Sequence, residues 1–237
     1  MRILARTLSV LALAALLSAQ DPAAEEPLEG FRTVLVRGWT VQVEDALDLD
    51  GALRDEVLGL LGAKLREIDA RLPAPVVARL REVPIWMRLD DQRSPGGVYH
   101  PSEEWLRFHG RDARMARSVE FGVARNFLEW MHTQPSMVLH ELAHAWHHQV
   151  LGYDHEGLME AFANAKESGR YADALHVNGS RQRHYGIRNP QEFFAEMTET
   201  TWGTNDFFPF VRGELLESDP ATAAAVAAAW STAVLDR

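Results

Sequence analysis

The chain has 237 residues, 46% of them hydrophobic, and no repeating period, which suits one globular domain with a sizeable core and excludes wholesale disorder. Its formal charge of −10 argues against binding the phosphate backbone of nucleic acids. Cysteine is absent, so disulfides, thiol-linked lipid anchors and thiolate ligands are excluded, and any metal must be held by His, Asp or Glu.

The first twenty residues place Arg2 and Arg6 before an apolar run from Leu8 to Leu17, with small residues at Ser18 and Ala19. This reads as a secretory signal peptide over residues 1–19; the run is shorter than the roughly 20 apolar residues a bilayer span requires. The expectation is a secreted or periplasmic protein with no membrane attachment once the signal is removed. Loss of Arg2 and Arg6 takes the formal charge from −10 to −12. Residues 20–30 are acidic, polar and proline-bearing, a short leader before the fold at 31–237.

Phe31 to Val43 alternates as a strand or hairpin around Gly38. Leu53, Val57, Leu60, Leu61, Leu65, Ile68 and Leu72 recur at helical spacing, so an amphipathic helix ends at Pro73. Val83 to Leu89 alternates again, and after the turn-like DDQRSPGG the segment VYHPSEEWLRFHG reads as a second strand, at an edge because Pro101 cannot donate to a ladder. The stretch Gly96-Gly97-Val98-Tyr99 is either an edge that pairs with an extended peptide or a plain turn and strand. From Ala113 onward the pattern is mostly helical, closing with TAAAVAAAW, in which Trp230 is a docking residue. The fold class is α+β: a small N-terminal sheet with a helix, then a mainly helical half that carries the chemistry.

The chemistry sits in QPSMVLHELAHAWHHQVLG, where Ser136 can cap a helix and Gly152 can end it. His140 and His144 are four apart, so both imidazoles leave the same face one turn apart and reach a single ion. Glu141 is turned about 100° from His140, close enough to reach a metal-bound water without being a ligand. Neutral imidazoles leave Zn²⁺ electrophilic, an open position admits water, and the adjacent carboxylate takes its proton and later delivers it to a leaving amine.

The third-histidine pattern HExxHxxGxxH fails at His147 and Val150. The best third ligand lies in NPQEFFAEMTET: Pro190 suits a helix start, Glu192 is placed to bind the metal, and Glu196, one turn on, to accept a hydrogen bond from a ligating imidazole. The same spacing also fits an ordinary solvated helix face. Asp206, in GTND, is a rival third ligand. His147 and His148 are read as solvated or outer-sphere residues, and His100, His109, His132, His155, His176 and His184 as surface or packing residues, with His184 an exception for its place beside Tyr185.

HELAH, the EFFAE segment and Tyr185, seven residues before Glu192, together resemble the zincin metallopeptidases related to anthrax lethal factor and the Pro-Pro endopeptidases. The segments YHPSEEWL and NDFFPFVRGEL also resemble those of an uncharacterised group of secreted bacterial proteins with the same core. The resemblance implies His140 and His144 as ligands, Glu141 as base, Glu192 as ligand and Tyr185 as a phenol assisting at the scissile carbonyl. A phenol proton aimed there stabilises a developing oxyanion. The function expected is zinc-dependent hydrolysis of peptide or protein substrates by a monomer, as an endopeptidase. The rivals are a zinc-retaining binding protein without turnover and a zinc hydrolase of a non-peptide amide.

Overall fold

A computed structural model describes residues 29–236; the expected signal peptide and nearly all of the leader lie outside the described residues. Phe31–Val36 (β1) and Trp39–Glu44 (β2) form the expected hairpin, turning through Arg37 and Gly38, both at positive φ. Gly51–Arg71 (α1) follows, started by Asp50, whose side chain accepts from Leu53 N at 3.1 Å. It stops where Leu72 precedes Pro73 and is extended, because the proline ring disfavours helical backbone in the residue before it. Ala74–Leu80 (α2) leads to Ile85–Met87 (β3), the expected second strand region.

Gly97–His100 (β4) is a true edge strand, but it is only four residues long. The rest of its expected length is the short helix Glu103–Phe108 (α3), which Ser102 caps by accepting from Trp105 N at 3.1 Å. A further correction concerns Ser118–Phe121 (β5), which falls where helix was expected and is a central strand. All four of its residues are buried; SVEF does alternate polar and apolar residues, but over only four positions, and its polar Glu120 faces a buried cluster with His100 and Arg111 instead of solvent. The sheet order is β1-β2-β3-β5-β4, with β2, β3 and β5 parallel and the two outer pairs antiparallel.

Alternation splits the two faces. Val41, Val43, Ile85, Met87, Val119 and Phe121 enter the main core, while Trp86 packs on the other face with Leu106 and Met115. Glu120 is also on that second face, fully buried, and is tolerated there because His100 and Arg111 bond its carboxylate.

Ala124–Trp130 (α4), Met137–Trp146 (α5) and Glu156–Ser168 (α6) follow; α5 lies over β4 and β5 and continues into a wider turn at His147–Leu151, ending at Gly152 with φ 81°. Ala174–Leu175 (β6) and Arg181–Gln182 (β7) make a two-stranded ribbon. Pro190–Trp202 (α7) packs against α5, and Arg212–Ser218 (α8) and Pro220–Ala229 (α9) close the helical half. Trp230 is the expected anchor: its ring stacks on Trp146 at 5.0 Å and its Nε1 donates to Thr198 Oγ1 at 2.9 Å, joining α9 to α5 and α7. Among the described residues there are nine α-helices, the five-stranded mixed sheet and the ribbon, a mixed α+β architecture. No helix among them is long and apolar enough to cross a membrane.

Candidate metal centre

Two helices bring three donor groups together. α5 supplies His140 and His144, whose rings lie 4.8 Å apart, and the first turn of α7 supplies Glu192. That turn is fixed by Pro190 at its start and by Asn189, whose side chain accepts from Glu192 N at 2.8 Å. Glu192 Oε2 lies 3.2 Å from His140 Nε2 and 3.4 Å from His144 Nε2, and the three donor atoms fall within 4.8 Å of one another. Ligand atoms 2.0–2.1 Å from a tetrahedral zinc are roughly 3.3–3.4 Å apart, so these separations fit the ion, as does a donor set of two imidazoles and a carboxylate. Burial would raise the Glu192 pKa, but contacts from His140 and His144 outweigh it and hold the carboxyl well below the usual range.

The imidazole of His140 is oriented from behind. Its Nδ1 lies 2.6 Å from Glu199 Oε1, a contact that holds a proton on Nδ1, and its Nε2 faces Glu192 Oε2 at 3.2 Å. This corrects the role expected for Glu196: the hydrogen bond goes to Glu199, while Glu196 stands 3.7 Å from the same nitrogen and is held by Asn205 Nδ2 at 3.1 Å. Burial raises the pKa of both carboxyls; their proximity to each other raises Glu196 further, and His140 pulls Glu199 the other way. Neither belongs to a solvated helix face, since α7 is buried from Phe193 through Thr201.

Glu141 is buried beside the triad, without a hydrogen-bond partner among the described residues, and β4 passes directly over it. A methyl group on Gly97 would sit 2.9 Å from Glu141 Cγ, so only glycine permits this approach. Tyr185 stands in the short turn Tyr185–Arg188; its hydroxyl donates to Glu192 Oε1 at 3.3 Å and accepts from Arg188 at 3.2 Å. Asp206, the rival ligand, is outside the triad, with Oδ2 facing Gln134 and His176. Ser136 occupies the cap position of α5, yet its hydroxyl bonds Thr204 N and O, tying the helix to the loop that carries Asp206.

The expectation for His147 fails: it is wholly buried between Tyr153 and Phe194, both ring nitrogens unpartnered, and burial lowers its pKa to about 4. His148 is outside the metal triad, its Nδ1 2.8 Å from the Tyr99 hydroxyl. Two cavities of about 580 and 300 Å³ meet at Gly97, Val98, His140, Glu141 and Tyr185, forming one cleft along β4. Sequence reasoning missed Glu199, although it is three residues beyond Glu196 and seven beyond Glu192, the spacing of one helix face; Gly97 carried no signal for its contact with Glu141.

Comparison with protein-family models, with curated proteins and with solved structures finds no match for this chain.

Proposed function

We propose that the protein is a zincin-like zinc metallopeptidase that acts after export, as a monomer, on peptide or protein substrates. The observation that carries this reading is the convergence of His140, His144 and Glu192 at separations fitting a zinc ion, with the unpartnered carboxylate of Glu141 beside them. Held there, zinc would polarise the scissile carbonyl and make a water acidic near neutral pH.

The chain's own residues perform the rest. Glu141 takes a proton from the attacking water and returns it to the leaving amine. The Tyr185 hydroxyl, 40% of the residue being exposed to the cleft, turns from Glu192 to donate to the carbonyl oxygen as negative charge develops there. Glu199 keeps the His140 proton on Nδ1. Gly122 N donates to Gly96 O at 3.4 Å, making that pair hydrogen-bonded; by the alternation of an antiparallel ladder Val98 also bonds inward, and the backbone groups of Gly97 and Tyr99 face the open edge. An extended peptide pairing with them would lie across the triad. A zinc-retaining binding protein would have no use for a buried base held clear of other partners.

The test is digestion of a peptide library by the metal-loaded protein, with chelator and Glu141→Ala as controls. Zinc-dependent, Glu141-dependent cleavage is expected; cleavage that survives either control refutes the reading.

A further inference from the structure

The larger cavity, about 580 Å³, holds more than the hydrolytic groups. Asp206 forms part of its inner wall, with a side chain only 9% exposed. Gln134 Nε2 and His176 Nε2 each approach Asp206 Oδ2 at 3.4 Å, long contacts both, and Oδ1 has no hydrogen-bond partner among the described residues. His176 turns Nε2 toward Asp206, its Nδ1 accepting from Asn178 N at 3.2 Å. Among the described residues Arg93 is the one lysine or arginine on the cavity wall, and Asp91 already binds it at 2.8 and 2.7 Å.

A carboxylate withdrawn from water without a cation is costly, and a free oxygen on a cavity wall can receive one from a ligand. Trp130 and Phe207 flank the same space and offer apolar and π surface to an alkyl stem and its cationic head. The volume is ample for one long side chain.

We infer that this cavity is a specificity subsite for a lysine or arginine side chain of the substrate, recognised by Asp206. Because the cavity is lined by His140 of the triad and by Glu141 beside it, the basic residue falls close to the scissile bond. The position of that bond rests on the peptidase reading; the recognition of the cation does not.

The experiment uses the full chain carrying Glu141→Gln, loaded with zinc and immobilised, to retain peptides from two libraries that differ in one fixed position, lysine or norleucine. Lysine peptides are expected to be retained about 10- to 100-fold better, the worth of a hydrogen-bonded charge. Asp206→Asn removes that preference, and Asp206→Lys reverses it in favour of norleucine. Equal retention of the two libraries, or a preference untouched by Asp206→Asn, overturns the inference. Digestion of both libraries with Glu141 intact separates the two readings: retention with lysine preference but no cleavage sinks the peptidase assignment alone, and cleavage indifferent to lysine sinks the subsite alone. The wild-type preference is read without any Asp206 variant, so a misfolded substitution does not shield the idea.

Discussion

Gly97→Ala isolates what holds the base in place. The added methyl would meet Glu141 Cγ at 2.9 Å, Phe121 Cε1 at 3.0 Å and Glu141 Oε1 at 3.1 Å, whereas ordinary contacts begin at 3.4 Å. Phe121 is 1% exposed in the core and has little room to retreat, so Glu141 must give way by about half an ångström to one ångström. A displacement of that size costs about 100-fold in rate, close to 2.7 kcal/mol of barrier. Overpacking costs about 1–3 kcal/mol of stability, which for a chain of this size lowers Tm by roughly 2–12 °C. The assay is kcat and KM on a peptide the wild type cleaves, with zinc content and Tm measured on the same sample. The loss should fall on kcat, with zinc content unchanged and the protein folded at the assay temperature. Full kcat in a folded variant would refute the claim that the edge strand positions Glu141, and loss of zinc would show that the damage lies in the ligands instead.

Glu199→Gln should weaken zinc binding by about 10- to 100-fold, roughly 1.4–2.7 kcal/mol, and Glu196→Gln by distinctly less, since only Glu199 bonds a ligating imidazole; competitive titration against a chromophoric chelator decides between them. Tyr185→Phe should lower kcat by about 100-fold or more and weaken zinc binding by less than Glu199→Gln does, because its 3.3 Å bond to Glu192 is long and is given up at the reacting carbonyl; an unaltered kcat removes Tyr185 from the mechanism. His147, ordinarily near 6.5, is lowered to about 4 by burial, so the unfolded chain takes up its proton first on acidification. Its stabilising contribution is therefore intact above about pH 6.5, is lost as the pH falls toward 4 and amounts to about 3 kcal/mol over that interval. Chelated His147→Phe protein should lose correspondingly less stability than chelated wild type between pH 7 and pH 4 in urea titrations; parallel losses would contradict the burial argument.

Much of the candidate site is written in local spacing. The four-residue interval of His140 and His144 and the helix start at Asn189 and Pro190 are near-neighbour facts, so the sequence alone put the two imidazoles on one helix face with Glu141 between them and picked out the segment that carries Glu192. Strands β1 and β2 and helix α1 were legible for the same reason, as one solvated face leaves a period. β5 was not, because the alternation of Ser118-Val119-Glu120-Phe121 spans only four residues, and the tolerance of a buried Glu120 inside it depends on His100 and Arg111 arriving from elsewhere. Setting Glu199 rather than Glu196 behind His140 required the packing of α7 on α5, since carboxylates on one helix are equivalent until a neighbour fixes which one faces the imidazole. The contact between Gly97 and Glu141 and the place of Asp206 on the wall of the same cavity likewise arise between segments far apart in the chain, where only the folded arrangement sets distances of a few ångströms.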